Sequence, residues 1–283
     1  MNISRYSAFT HTPEGGNPAG VVLDASGASD ETMQRMAAEV GYSESAFITD
    51  QSTDGDMPNL TVRYFSPEAE VDFCGHATIA TAVAYADLHG PGDLLLHTKA
   101  GPIGVMVQAD AEGYRATLTS VPTALSEVDA AVLDETLAIL GWSCDELDPA
   151  LPPKVAFGGV DHLVLAADSR QRLADLDYDF ERLKTWMSAG GWTTLQLVWR
   201  ESPTVFHARN PFPVGGVVED PATGAAAAAF GGYVRDLGLL PAPATFVIHQ
   251  GHDMGRPSHL TVDSSADDRR IRVTGSACKI SGD

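Results

Sequence analysis

Two stretches of this chain, Thr78-Ile79-Ala80-Thr81-Ala82-Val83-Ala84-Tyr85-Ala86 and Ala225-Ala226-Ala227-Ala228-Ala229-Phe230-Gly231-Gly232-Tyr233-Val234, have helical composition and almost no charge on any face. A helix that is apolar all round has no side to offer water, so it has to be enclosed. The simplest way to enclose both is one central helix wrapped by strands in each half of the chain. Gly231 and Gly232 fit that picture: each costs about 1 kcal/mol against Ala in a helix interior, which points to close approach of a surrounding strand.

The wrapping material is visible as short runs rich in Val, Thr, Tyr and Phe. They are Thr61-Val62-Arg63-Tyr64-Phe65, Leu94-Leu95-Leu96-His97-Thr98, Tyr114-Arg115-Ala116-Thr117-Leu118, His162-Leu163-Val164-Leu165, Leu195-Gln196-Leu197-Val198-Trp199, Ala244-Thr245-Phe246-Val247-Ile248 and Ile271-Arg272-Val273. Three amphipathic helices are predicted between them, on the outside of the sheets. One follows Ser29 and Asp30 with Met33, Met36, Ala37 and Val40 on one face and stops at Gly41. The others cover residues 128–140, stopped by Gly141, and 180–187, stopped by Gly190. Strands outnumber helices without regular alternation, so the fold class is α+β, with one buried helix wrapped by strands in each half. Pro122, Pro149, Pro152 and Pro153 mark loops mid-chain, which divides the sequence into residues 1–123 and 124–274. The C-terminal segment 275–283 is a candidate to complete the first domain.

Both uncharged helices begin in small-residue segments that carry reactive side chains, Asp72-Phe73-Cys74-Gly75-His76-Ala77-Thr78 and Glu219-Asp220-Pro221-Ala222-Thr223-Gly224. Helix N-termini present unpaired N–H groups and a partial positive charge, so two of them facing one cleft would hold an anion between His76 and Asp220. The formal net charge of -20 opposes phosphate backbones and anionic lipid, so a small molecule is the expected partner, with no nucleic acid and no membrane. Three well-separated cysteines, Cys74, Cys144 and Cys278, indicate neither a disulfide framework nor a zinc knuckle, and suit a reducing, cytoplasmic setting. The N-terminal residues lack the apolar run of a signal peptide.

Glu44 lies in Tyr42-Ser43-Glu44-Ser45-Ala46-Phe47-Ile48, where strand alternation puts it on the apolar face with Ala46 and Ile48. Desolvation there would raise its pKa toward a value useful for taking and returning a proton; the alternative is an exposed edge-strand glutamate. His76 at a helix mouth is either structural or a neutral imidazole that donates one hydrogen bond and accepts another. Cys74 is either an activated thiol or a small buried residue. Racemases without cofactors often use two thiols, but the matching segment offers Asp220, which argues against a two-thiol mechanism. Asp220 before Pro221 is a standard N-cap pattern, and capping alone would explain it. Phosphate-loop, dinucleotide, serine-hydrolase and zincin signatures are absent. His249 and His252 have the spacing of a metal pair, but nearby carboxylates are few; no metal and no cofactor is implied.

Taken together, several segments resemble the PhzF family of phenazine biosynthesis-like proteins, related in fold to diaminopimelate epimerase. They are Gly16-Asn17-Pro18-Ala19-Gly20-Val21-Val22, Tyr42-Ser43-Glu44-Ser45-Ala46-Phe47, Arg63-Tyr64-Phe65-Ser66-Pro67 with Glu70-Val71-Asp72-Phe73-Cys74-Gly75-His76-Ala77-Thr78, Gly101-Pro102, Glu219-Asp220-Pro221-Ala222-Thr223-Gly224, and Gln250-Gly251 with Met254-Gly255-Arg256-Pro257-Ser258. The resemblance implies two similar domains, each a curved, largely antiparallel sheet wrapped around a buried central helix, with the site in the cleft between them, commonly a homodimer, and an isomerase that moves a proton on a small carboxylated substrate. It implies Glu44 as the proton shuttle with His76 and Asp220 beside it, and substrate contacts from Asn17, Cys74 and the Gly75 and Gly224 backbone. Ala225 departs from the family, which often has Ser there. Two alternatives stay open: an epimerase with Cys74 as a base, and a catalytically silent binding protein that keeps the cleft for a metabolite.

Overall fold

The computed structural model describes residues 1–55 and 57–280, and its backbone divides into two units, Met1–Thr119 with Thr274–Asp283, and Ser120–Val273. Residues 281–283, the end of the segment expected to complete the first domain, lie outside the described residues.

The first unit runs β1 (Ser4–Ala8), β2 (Asn17–Val22), α1 (Asp30–Val40), β3 (Glu44–Asp54), β4 (Met57–Phe65), β5 (Glu70–Val71), α2 (Gly75–His89), β6 (Gly92–Thr98), β7 (Gly101–Asp110) and β8 (Gly113–Thr119). Pairs β1–β2, β3–β4, β6–β7 and β7–β8 are antiparallel, while β2–β3 and β4–β6 are parallel because a helix is the connection in each case. The C-terminal strand Arg272–Lys279 pairs with both β1 and β8 and closes the ring. Inside lies α2, buried at every residue from His76 to Ala86. Its two internal hydroxyls are satisfied by the helix itself: Thr78 Oγ1 donates to the Cys74 carbonyl and Thr81 Oγ1 to the Ala77 carbonyl, both at 2.7 Å. Burial of Ile79 and Val83 contributes about 1.5–3 kcal/mol each. Outside the ring, α1 packs Met33 and Ala37 on Val22, Phe47 and Phe65, and ends at Gly41 with φ 71°.

The second unit runs β9 (Ala124–Ser126), α3 (Ala130–Leu140), β10 (Lys154–Phe157), β11 (Asp161–Ala166), α4 (Arg170–Ala174), α5 (Phe180–Gly190), β12 (Thr194–Ser202), β13 (Val205–Pro211), β14 (Glu219–Asp220), α6 (Gly224–Asp236), β15 (Ala244–Gln250) and β16 (Ser258–Ser264), followed by β17, the strand Arg272–Lys279. Its sheet order is β9-β10-β11-β12-β13-β15-β16, again with two parallel pairs, β11–β12 and β13–β15. The central helix is α6, flanked by β9, β10, β11, β12 and β16. Helices α3 and α5 cover the outer face through Leu137, Leu140, Leu183 and Met187 against Leu163, Leu165, Leu195 and Leu197.

Two sequence expectations need correction. Helix α5 continues through Gly190 and is stopped by Gly191, whose φ of 72° makes the left-handed cap. The strand read at Ile271 begins one residue later and extends to Lys279, since Ile271 turns its side chain onto α6. Among the described residues no helix is long and apolar enough to cross a membrane.

The glycines in α6 mark close approach. A Cβ on Gly231 would lie 2.6 Å from Ile271 Cγ2 and 2.8 Å from Val262 Cγ1, and one on Gly232 would lie 2.4 Å from Thr123 Oγ1. Gly231→Ala should therefore destabilise the protein by about 1–3 kcal/mol despite its better helix propensity. Chemical denaturation checks this; an unchanged or higher midpoint would show that the wrapping strands do not set the helix composition.

Candidate active site

The mouth of α2 is built from three adjoining pieces of the first unit. The helix starts after Cys74, whose backbone is extended (φ -145°, ψ 118°) and whose side chain makes no capping bond. No carboxylate occupies the first turn of α2. The negative charge comes instead from Glu44, the first residue of β3, whose alternation sends Ala46 and Ile48 into the interior. The third piece is Asn17, which opens β2 and pairs its strand with β3 so that Ala19 lies opposite Glu44.

These elements gather the side chains tightly. The Cys74 thiol donates to Glu44 Oε2 at 3.6 Å and lies 3.3 Å from His76 Nδ1. His76 Nε2 is 3.5 Å from Glu44 Oε2, and Asn17 Nδ2 is 3.1 Å from His76 Nδ1. An amide nitrogen can only donate, so Nδ1 accepts and the neutral ring carries its proton on Nε2, the nitrogen near Glu44. Burial lowers the pKa of His76 from its ordinary value, and the Glu44 charge opposes that shift without overcoming it. Glu44 itself keeps 15% of its side chain exposed, enough to meet a ligand while its neighbours His76 and Cys74 are buried. Gly75 is the first residue of the helix, so its amide belongs to the turn that lacks intrahelical acceptors. Ser43, which carried no role in the sequence reading, places Oγ 3.4 Å from His76 Nε2. Its position directly before Glu44 was the available signal.

Glu44, Cys74 and His76 also offer one ligand atom each, all within 4.8 Å of one another. A carboxylate, a thiol and an imidazole are a donor set that zinc accepts, although sequence analysis implied no metal.

The remaining predicted residues, Asp220 and Gly224, belong to the second unit. There the expected N-cap pattern fails: α6 starts at Gly224 with Thr223 before it, so Pro221 is not its first residue and Asp220 is not its cap. The physical reason is that Asp220 is held in β14, opposite Asn210 of β13. Its neighbour Glu219 is locked by Arg209, with Nη2 2.6 Å from Oε2 and both side chains buried. The Asp220 carboxylate accepts from Thr223 Oγ1 at 2.5 Å. Gln250, at the end of β15, ties the loop together: its Nε2 donates to the Asp220 carbonyl at 2.7 Å, and its Oε1 accepts from the Thr223 amide at 3.2 Å. The next residue is Gly251, where a Cβ would lie 2.3 Å from the Arg256 carbonyl oxygen and 2.7 Å from that of Pro221. Thr223 and Gln250 were quoted in the motifs but given no role; only the fold shows that they hold Asp220.

Because the Glu44 charge is the influence that favours imidazolium at His76, Glu44→Gln should lower the His76 pKa further. Titration of the His76 ring signals by NMR measures it directly. A pKa that stays put or rises would mean that the two groups are not electrostatically coupled.

Comparison with known proteins identifies the family. The family model for phenazine biosynthesis-like protein, PhzC-PhzF, matches residues 6–282. An uncharacterized isomerase of Deinococcus radiodurans is 34% identical, with 96% of this chain and 90% of that protein covered. The trans-2,3-dihydro-3-hydroxyanthranilate isomerase of Pseudomonas aeruginosa is 29% identical, covering 97% and 93%. Among solved structures, the Bacillus anthracis phenazine biosynthesis protein of the PhzF family superposes with a TM-score of 0.87 at 24% identity, covering 99% and 97%. A probable proline racemase from Agrobacterium radiobacter shares the fold at a TM-score of 0.65 and 13% identity, covering 98% and 90%.

Proposed function

The chain belongs to the PhzF family of phenazine biosynthesis-like proteins, whose relatives are named isomerases, and from that premise we propose that it is a cofactor-independent isomerase moving a proton on a small carboxylated substrate. The observation that carries the reading is the clustering of Glu44, Cys74 and His76 at the N-terminus of a buried helix. Glu44 is the acid/base. It takes a proton from a carbon activated by the substrate's unsaturation, and the electron pair left behind delocalises as an enolate-like anion. The same carboxyl group then returns the proton to a different carbon, so no oxidant or co-reactant is needed. The first-turn amides of α2, beginning at Gly75, oppose the developing negative charge, and a low-dielectric site makes such dipoles count for more than they would in water. His76, with its proton on Nε2, orients Glu44 and assists the return. Asn17 fixes the His76 tautomer.

Asp220 enters the proposal as a catalytic group alongside Glu44 and His76, and the Gly224 amide as a substrate contact, both on the strength of the family resemblance. Ala225, lacking a hydroxyl, directs the preference away from substrates that need one at that point. A homodimer in a reducing, cytoplasmic setting completes the reading.

A second reading gives Cys74 the role of a base in an epimerisation. It is favoured by one observation, the thiol lying within reach of both Glu44 and His76. The experiment that separates the two is proton exchange in heavy water, screened over small aromatic and amino-acid carboxylates. Glu44→Gln should reduce deuterium incorporation by about 10²–10⁴-fold while the fold is kept, as removal of a general base does, and Cys74→Ala should retain exchange. Full exchange in Glu44→Gln contradicts the proposal, and loss in Cys74→Ala alone transfers the role to the thiol.

A further inference from the structure

A second collection of ligating side chains lies in the second unit, on the outer face of its sheet. Register pairs Trp199 with His207, His207 with His249, and His249 with His259, so β12, β13, β15 and β16 contribute one member each to a single row. Directly opposed residues share a sheet face. The alternate residues Phe206, Ile248 and Leu260 are buried, with Phe206 packed edge-to-face against Phe230 of α6. The histidines therefore point away from the central helix. After β15 the turn His252–Met254 folds back and adds His252 to the row.

The ring centroids, though not the ring nitrogens, have the spacing of imidazoles around one ion. Ring centroids are 5.2 Å apart for His207 and His249, 5.3 Å for His249 and His252, and 6.1 Å for His207 and His252. With metal–nitrogen bonds of about 2.0–2.1 Å, two imidazoles on a tetrahedral ion have centroids roughly 5.2 Å apart. The rings meet at interplanar angles of 42°, 84° and 65°, and their nitrogens do not yet converge, so binding includes ring rotation. His259 flanks the group, 5.0 Å from His249.

One ring is already prepared. His207 Nε2 lies 2.6 Å from Glu201 Oε2, which fixes the proton on Nε2 and leaves a lone pair on Nδ1. That Nδ1 is buried and has no hydrogen-bond partner among the described residues. A buried acceptor left unsatisfied costs free energy that a cation would recover. A carboxylate on the far nitrogen is also the usual support of a metal-bound histidine. The Arg170 guanidinium is held by Asp253, the neighbour of His252, at 2.8 and 3.0 Å. The chain's net charge of -20 favours cations generally.

We propose that His207, His249 and His252 form a binding site for a divalent transition-metal ion of the zinc class, oriented by Glu201 and separate from the residues at the mouth of α2. Imidazole donors select such ions over magnesium or calcium.

Titration of the full-length, chelator-treated protein with Zn²⁺ and with Co²⁺, followed by calorimetry and by absorption, tests the assignment. One Co²⁺ should bind with visible d–d bands and no thiolate-to-metal charge transfer in the near ultraviolet. His249→Ala and His207→Phe should each weaken Zn²⁺ binding at least tenfold, and Glu201→Gln should weaken it about tenfold while leaving all ring ligands in place. Cys74→Ser should have no effect, which separates this site from the Glu44, Cys74 and His76 donors. Circular dichroism confirms that each variant is folded; should a histidine variant fail to fold, Glu201→Gln decides. Binding that survives both histidine substitutions, binding lost in Cys74→Ser, or no binding below about 100 μM would overturn the proposal.

Discussion

The structure depends on enclosing a helix that has nothing to say to water. From His76 to Ala86, α2 is buried without a single charged side chain, and α6 is treated in the same way from Ala226 to Val234. Each unit meets the requirement by wrapping strands around its helix, and the parallel steps across α1, α2, α5 and α6 are what let a mainly antiparallel sheet curve that far. Composition follows from the geometry. Small residues fill the helices because strands come close on several sides, and where Val262 and Ile271 press against α6 even a methyl group is too large.

Enclosure has an electrostatic consequence. A buried helix concentrates the field of its N-terminus, because no water screens the first turn and no carboxylate of α2 itself neutralises it. The compensating charge has to arrive from another strand, and in the first unit it is Glu44. The same burial that lets Glu44 feel the helix holds His76 neutral. A carboxylate and an uncharged imidazole at contact distance, with Asn17 fixing the tautomer, are suited to passing one proton back and forth. The need to bury the helix and the chemistry at its mouth are thus linked through one dielectric environment.

Much of this was legible in the residues. The uncharged helices followed from composition and the amphipathic α1, α3 and α5 from periodicity, because hydrophobic patterning answers to burial more than to detailed contacts; for Glu44 strand alternation left an inward and an exposed position both open. What failed was local and depended on partners distant in sequence. Asp220-Pro221 looks like the start of a helix, but pairing with Asn210 and the Arg209–Glu219 ion pair keep Glu219 and Asp220 in a strand and delay the helix to Gly224. Gln250 gained its role only through the fold, which sets the end of β15 against the Asp220 loop. The histidine row was the least visible: His249 and His252 are close in sequence, whereas His207, His259 and Glu201 join them only across β12, β13, β15 and β16.

The central claim is that the first turn of α2, beside Glu44 and His76, is where an anionic substrate is held. Backbone amide NMR during titration with a small aromatic carboxylate tests it most directly. The account requires the largest saturable shifts at the amides of Gly75 and His76. Saturable shifts centred elsewhere, with those amides unmoved, would contradict it.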